Sequence, residues 1–151
     1  MNDSQSALVF AIEGQRFALR LNVVQRVVRA VEITPLPRAP EVVFGVINFE
    51  GQIIPVMNTR RRLGLAGRDV QPDDHFVIAR TGTRTVALVV DEVCDVVPVP
   101  ENAVTGAEKI VPGMEFIEGV MKLENDLVLV EDLEKFLSPE QEKLVDEALK
   151  T

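Results

Sequence analysis

The chain has 151 residues, 46% of them apolar and 26% charged, and a formal net charge of −8. One cysteine and one histidine exclude a disulfide framework, a zinc site and a Cys–His catalytic pair, and the acidic balance argues against nucleic acid as a partner. No apolar run approaches the roughly 20 residues of a membrane span, and residues 1–6 lack the features of a signal peptide. We therefore expect a cytoplasmic protein of one domain or of two small subdomains.

The first part of the chain reads as short strands joined by tight turns. β-Branched side chains favour strands, and the chain contains 25 valines and eight isoleucines. Two apolar runs meet at residues 13–15, where Gly14 can adopt the positive φ of a hairpin turn. Residues 23–29 predict a third strand, and three prolines within residues 35–40 exclude a helix or a central strand there.

A second hairpin follows the proline-rich loop. Residues 45–49 and 52–57 predict two strands joined at Glu50-Gly51. The polar, arginine-rich segment from Thr59 to Leu63 then predicts a short helix that ends at Gly64.

The pattern begins again after a polar connection over residues 65–74. Residues 18–28 align with residues 87–97 at five identical positions, and residues 45–63 align without a gap with residues 119–137, again with five identical pairs. Weak identity with the same order and polarity indicates two copies of one small β unit. The alternative is chance similarity between valine-rich strands.

Two such units fit two small closed barrels, because closure hides the edges of a sheet. The chain ends in a predicted helix, with Ser138 as its cap, Pro139 in its first turn and Gln141 completing a capping box. We expect a mainly β fold of two five-stranded β-barrel subdomains packed together, with short helices and a C-terminal α-helix. The expected subdomains are about residues 14–70 with the helix at 138–150, and about residues 71–137 with the N-terminal strand.

No residue forms a convincing catalytic group. His75 follows two aspartates and could act as a general base, but a polar residue at the start of a strand is the simpler interpretation. A small hydrolase that uses His75 and Asp91 is the alternative from the enzyme class. Cys94 lies among valines in a predicted strand, which is typical of a structural residue. We therefore expect no catalytic residue, no cofactor and no metal.

Surface features remain as candidates for function. Residues 115–151 carry 11 acidic and 4 basic side chains, and they form either a solvated helical face or an acidic patch that selects a basic partner. A groove between two barrels could receive a helix, and Val24, Val27 and Gly45 could line it. Gly45 fits either a tight turn or a place where the backbone of a partner comes close.

The segment from Pro40 to Val56 resembles the CheW family, the coupling proteins of bacterial chemosensory arrays. The family pattern there is a proline followed by Gly-Val-x-Asn-Leu-Arg-Gly-x-x-x-Pro-Val, and this chain carries Gly45-Val46-Ile47-Asn48-Phe49-Glu50-Gly51 and then Pro55-Val56. Supporting matches lie at residues 24–27, 90–93 and 116–120. The resemblance covers the chain from Leu8 to about Leu149.

The resemblance implies two SH3-like barrels and a non-enzymatic adaptor. Such a protein couples the cytoplasmic tip of a methyl-accepting chemoreceptor to the regulatory domain of a CheA-type histidine kinase in bacterial chemotaxis. It is cytoplasmic, is recruited to membrane-associated receptor arrays and does not insert into the membrane. The receptor helix is expected in the groove between the subdomains, where the candidates are Val24, Arg26, Val27, Gly45, Asn48 and Glu50. The alternative is a CheW-like adaptor of a non-chemotaxis pathway that controls surface motility or development.

The chain departs from the family pattern in two places. The family usually has Glu and Arg at the positions of Arg26 and Glu50, so both charges are reversed. A paired exchange indicates an ion pair between the two side chains, and independent change at two exposed sites is the alternative. The family also often has an acidic residue where this chain has Asn58, which puts in doubt any role that needs a carboxylate there.

Overall fold

The structure is a computed structural model, and it describes residues 6–99, 104–106, 117–124 and 126–150. The strands are β1 (Ser6–Ile12), β2 (Gln15–Arg20), β3 (Val24–Arg29), β4 (Val43–Phe49), β5 (Gln52–Met57), β6 (His75–Arg80), β7 (Thr85–Val90), β8 (Glu92–Pro98), β9 (Val104–Gly106), β10 (Ile117–Leu123) and β11 (Asp126–Glu131). The helices are α1 (Thr59–Arg62) and α2 (Pro139–Leu149). Single 3-10 turns lie at Leu21–Val23 and Leu133–Lys135. Within the described ranges, no helix is long and apolar enough to cross a membrane.

The chain divides into two compact units. Unit 1 contains the chain up to Val24 and Asp91–Phe136, on a six-stranded sheet with the order β8-β1-β2-β11-β10-β9. Strand β1 lies between β8 and β2, so nearly all of its residues are buried. The buried core of this unit is formed by Ala7, Val9, Ala18, Val97, Val99, Met121, Val128 and Val130.

Unit 2 contains Gln25–Val90 and Leu137–Thr151, on a five-stranded sheet with the order β3-β6-β7-β5-β4. Its buried core is formed by Ile47, Ile54, Val56, Phe76, Ile78 and Ala87. Helix α2 belongs to this unit, and its predicted capping box is confirmed, because Ser138 and Gln141 exchange side chain-to-backbone hydrogen bonds. The predicted short helix before Gly64 is also confirmed as α1.

Each sheet combines strands from both sequence copies. Strand β2 pairs in parallel with β11 through Ala18 and Val130, and β5 pairs in parallel with β7 through Val56 and Ala87. Ala18 aligns with Ala87 in the repeat, and Val56 aligns with Val130. The two parallel pairings are therefore equivalent, and each joins the first part of one copy to the hairpin of the other.

This pairing of strands between the two copies accounts for the bounds of the units. The expected subdomains followed chain order and placed β2 with residues up to 70 and β6 and β7 with the second copy. In the structure β2 lies in unit 1, while β6 and β7 lie in unit 2. Hydrogen bonding between the two copies decides which unit each strand belongs to. This pairing cannot be predicted from a change of composition along the sequence.

The predicted mainly β class, with two sheet-based units, short helices and a C-terminal α-helix, is confirmed, and an SH3-like description fits both units. Two details differ from the expected barrels, because one sheet has six strands and, among the residues that the structure describes, neither sheet closes. In unit 2 the segment after β3 reaches β4 only through an isolated bridge between Thr34 and Val46. Pro35 and Pro37 follow Thr34 and have no N–H to donate, so a longer ladder cannot form there.

The register of the hairpins agrees with the sequence prediction. Ile12 pairs with Gln15 around Glu13-Gly14, where both φ values are positive. Strand β10 ends at Leu123 and β11 begins at Asp126, and Asn125 between them lies outside the described residues. Two-residue turns with positive φ match the twist of the flanking strands.

Candidate functional site

The candidate residues lie on β3 and on the β4–β5 hairpin. Arg26 is exposed near the middle of β3, and Val24 and Val27 on the same strand are partly exposed. Strand β3 is the first strand of its sheet and β4 is the last, so each has one edge without a neighbouring strand. Of the two side chains whose charges differ from the family pattern, Arg26 lies on β3 and Glu50 lies in the turn that follows β4.

The β4–β5 turn holds its acidic residue in a fixed position. Glu50 and Gly51 have φ values of +51° and +83°, and they separate the paired residues Phe49 and Gln52. Positive φ at both central positions defines a type I′ turn. The side chain of Asn48 accepts a hydrogen bond of 2.9 Å from the backbone N–H of Gly51. Asn48 therefore shapes the turn that presents Glu50.

Arg26 and Glu50 form an ion pair, as the paired exchange of charges predicted. Arg26 Nη1 lies 2.5 Å from Glu50 Oε1, and the side chains are 58% and 63% exposed. The contact joins β3, the first strand of the sheet, to the turn between β4 and β5. An exposed pair contributes only about 0–1 kcal/mol to stability. Its main effect is the charge pattern that it presents to a partner.

The structure of the chain itself explains why position 45 is a glycine. It is buried within β4, and a Cβ added to it would lie 2.2 Å from the carbonyl oxygen of Thr34 and 2.8 Å from the Ile33 side chain. Neither of the two expected explanations describes this position, since Gly45 pairs with Val56 in a strand and the close backbone belongs to Thr34. The close approach of Thr34 is therefore a sufficient reason for a glycine at position 45, and a receptor contact by Gly45 stays a prediction.

The catalytic candidates are not assembled into an acid–base pair. Asp74 accepts two hydrogen bonds of 2.8 Å from Arg68 and one from the backbone N–H of Gln71. Burial raises the pKa of Asp74, but these hydrogen bonds outweigh burial and leave its pKa below the ordinary value. Asp91 accepts a hydrogen bond from the N–H of Glu13. Within the described residues, the buried Nδ1 of His75 has no hydrogen-bond partner.

Cys94 and the acidic groups provide neither a nucleophile nor a metal site in the part of the chain that the structure describes. Burial, together with the negative charge of Glu92, raises the pKa of the Cys94 thiol, so the thiol remains protonated near neutral pH. No group of three or more His, Cys, Asp or Glu side chains is arranged to hold a metal ion within the same residues.

Residues 6–141 match the CheW-like domain family. The chain belongs to this family. It is 26% identical over 142 residues to Chemotaxis protein CheW of Rhizobium meliloti strain 1021, covering 93% of this chain and 92% of that protein. It is also 27% identical over 114 residues to Protein FrzA of Myxococcus xanthus, covering 70% of this chain and 71% of that protein. The crystal structure of scaffolding protein TtCheW from Thermoanaerobacter tengcongensis superposes with a TM-score of 0.83 at 27% identity, covering 91% of this chain and 95% of that one.

Two features of this CheW-like chain were not predicted from its sequence. The first is an ion-pair cluster in which Arg84, whose side chain is only 10% exposed, bonds to Glu142 and Asp146 on α2. The spacing of those two acids places them on one face of a helix, which is a usable signal. The second is a groove beside the end of β3, and the polar loop at residues 69–72 gave no sign of it.

Proposed function

We propose that this chain is a non-enzymatic scaffold that couples chemoreceptors to a CheA-type histidine kinase in bacterial chemotaxis signal transduction. The match to the CheW-like domain family over residues 6–141 is the observation that carries this function. The likeness to Chemotaxis protein CheW of R. meliloti and to a solved scaffolding protein supports it. The partners are the cytoplasmic tip of a methyl-accepting chemoreceptor and the regulatory domain of the kinase.

We place the receptor contact on β3 and the β4–β5 turn. Val24 and Val27 offer apolar surface that is only partly buried. Arg26 and Glu50 offer a fixed pair of opposite charges, which Asn48 supports through the turn. A helix with apolar side chains and matching charges along one face suits such a surface.

The same proposal fixes where the protein works. A receptor tip and a kinase that both lie in the cytoplasm require a scaffold in the cytoplasm. The chain is then recruited to membrane-associated receptor arrays by protein contacts and does not insert into the bilayer itself. Coupling of this kind needs no covalent step, since each partner contributes binding free energy and the scaffold raises their effective local concentration.

A second candidate function is scaffolding in a chemosensory pathway other than chemotaxis, such as one that controls surface motility or development. Two observations favour it. The charges of Arg26 and Glu50 are reversed from the usual family pattern, and the chain is similar to Protein FrzA, whose name does not describe a chemotaxis protein. Reversed charges at a contact reject a partner that fits the usual polarity.

The deciding experiment is capture of partners from native lysate with the full chain, followed by reconstitution. The recovered kinase and the recovered receptor, reinserted in vesicles, are assayed for kinase autophosphorylation with increasing amounts of the chain. We expect autophosphorylation to rise only when all three components are present. Recovery of a receptor without a CheA-type kinase would favour the second candidate. Recovery of neither would contradict both.

A double-mutant cycle tests the ion pair in the same assay. Arg26→Glu, Glu50→Arg and the double variant are compared for receptor binding and for urea unfolding. We expect each single variant to weaken receptor binding and the double variant to differ clearly from the sum of the two. The matched control is the exposed pair Arg16–Asp126, separated by 3.4 Å in unit 1. Strictly additive effects at Arg26 and Glu50 would show that the pair has no role.

A further inference from the structure

A groove of about 410 Å³ opens on unit 2, between the segment that follows β3 and the loop before β6. Its apolar lining is formed by Ala30, Val31, Ile33, Phe44, Val70 and Pro72. Val31 is 54% exposed and lies next to the other apolar side chains of this lining, so it forms part of an apolar patch. This patch is separate from Arg26 and Glu50, and the proposed receptor contact does not use it.

The backbone along one wall of the groove lacks hydrogen-bond partners. Ala30 donates its N–H to the carbonyl of Asp74, and Thr34 exchanges two hydrogen bonds of 2.9 and 2.8 Å with Val46. Between these points, no N–H or carbonyl of residues 31–33 is bonded to any described part of the chain. Unpaired backbone beside the edge of a sheet can act as a template for another strand.

Hydrogen bonds to a buried carboxylate hold the opposite wall of the groove. Asp74 is 2% exposed and accepts both guanidinium N–H groups of Arg68 at 2.8 Å. It also accepts the N–H of Gln71, which closes the loop that carries Val70 and Pro72. A binding site that is already formed costs less ordering free energy when a partner arrives.

The rim of the groove is acidic. Glu32 lies on the unpaired segment and Asp69 on the facing loop, and both are exposed. Neither carboxylate has a hydrogen bond or ion pair with the residues that the structure describes. The nearby Arg68 is occupied by Asp74, and Arg29 lies 3.9 Å from Asp73. The two free charges at the rim are therefore both negative.

We propose that this groove binds an extended segment of a partner protein in which aliphatic side chains alternate with lysine or arginine. The segment adds to residues 31–33 as a short strand through backbone hydrogen bonds. Its aliphatic side chains lie against Val31, Phe44 and Val70. Its basic side chains lie on the opposite face of the added strand and pair with Glu32 and Asp69, because successive side chains of a strand point to opposite faces.

Binding can be measured with the peptide Lys-Val-Lys-Trp-Lys-Val-Lys and the full chain. The chain contains no Trp and no Tyr, so the fluorescence of the peptide tryptophan reports binding without background. We expect Val31→Lys to weaken binding at least tenfold. Ile53→Lys is the matched control, since Ile53 is 53% exposed and lies outside the groove. It should change the affinity by less than threefold.

The charges and the backbone are tested separately. Loss of one exposed ion pair corresponds to about 1.4- to 5-fold in affinity, so Glu32→Gln with Asp69→Asn should weaken binding about 2- to 25-fold. The control Glu140→Gln with Glu147→Gln on α2 removes the same charge and should have little effect. In hydrogen exchange, the amides of Val31 and Ile33 should exchange at least tenfold more slowly when the peptide is bound.

Three results would overturn strand addition. Equal weakening by Val31→Lys and Ile53→Lys would show attraction to the overall negative charge only. A helical circular dichroism signal from the bound peptide, with unchanged exchange at residues 31–33, would show that the groove accepts a helix. Concentration-dependent self-association that Val31→Lys abolishes, with no peptide binding, would make a second copy of the chain the occupant.

Discussion

Replacement of Gly45 by alanine tests whether this glycine is required by the fold or by a partner. The added Cβ would lie 2.2 Å from the Thr34 carbonyl oxygen, so the backbone at Thr34 must retreat by about 1 Å to reach ordinary contact. That movement breaks the two hydrogen bonds between Thr34 and Val46, which are 2.9 and 2.8 Å long. The Ile33 side chain, 2.8 Å from the added atom, must also shift.

The expected loss is about 3 kcal/mol of unfolding free energy. The two backbone hydrogen bonds contribute about 1 kcal/mol each, and overpacking of a site that can relax by shifting the Thr34 backbone adds about 1 kcal/mol, the low end of the usual range. For a chain of this size, about 2–4 °C of melting temperature corresponds to each kcal/mol, so Gly45→Ala should melt roughly 6–12 °C lower. Urea and thermal unfolding followed by circular dichroism measure both quantities.

Gly67→Ala is the matched control, because an added Cβ at Gly67 meets nothing within 4 Å. Its stability should stay within about 0.5 kcal/mol of the parent chain. If Gly45→Ala were as stable as this control but failed to bind receptor, Gly45 would be a contact residue and the steric reasoning would be wrong.

Three further changes test contacts in unit 2. Arg84→Met removes the hydrogen bonds from the turn before β7 to Glu142 and should lower the unfolding free energy by about 1–2 kcal/mol, because a largely buried charged donor is lost. Urea unfolding measures this, and no change would show that α2 is held by packing alone. Asp74→Asn should lower the unfolding free energy by about 2 kcal/mol at pH 7. The pKa of Asp74 is lowered in the folded state, so its contribution to the unfolding free energy is present above the unfolded pKa near 3.9 and is lost as pH falls through the folded pKa. The difference in unfolding free energy between Asp74→Asn and the parent chain should therefore shrink below about pH 4. A difference that stays constant with pH would contradict the ion pair. Ser138→Ala should cost about 1 kcal/mol in thermal unfolding through loss of the helix cap, whereas an unchanged melting temperature would mean that α2 frays there already.

Local features of this fold could be predicted because they depend on neighbouring residues. Gly14 and Gly51 permit the positive φ of two-residue turns, and both turns lie where the sequence placed them. The capping box of α2 is a pattern over four residues and is present in full. Such signals need no knowledge of distant strands.

Pairing between distant strands could not be predicted in the same way. The alignment of the two copies identified equivalent residues, but it did not show that Ala18 pairs with Val130 of the other copy on one side as well as with Val9 on the other. The strands could pair within each copy or between the copies, and either pairing would bury the same apolar residues. A sequence pattern that reports burial alone cannot distinguish them, so the expected subdomain bounds followed the order of the chain.

The candidate surface was predictable only where charge carried the signal. The exchanged signs of Arg26 and Glu50 led to an expected ion pair, and the structure contains it. Gly45 was placed on the surface because glycine fits several roles, and only the position of the Thr34 carbonyl shows why no side chain fits. The groove beside Val31 depends on which backbone groups remain unbonded, and that is a property of the assembled sheet.

Exchange of strands between the copies also affects how the chain folds during synthesis. Phe17 on β2 pairs with Leu129 on β11, which a ribosome makes roughly 110 residues later, or about 5–20 s at ordinary elongation rates. Throughout that interval β1, whose residues are nearly all buried in the finished protein, has no complete sheet to join. Nascent unit 1 therefore presents an unprotected apolar strand to chaperones and to other chains, even after Val90 completes the last strand of unit 2.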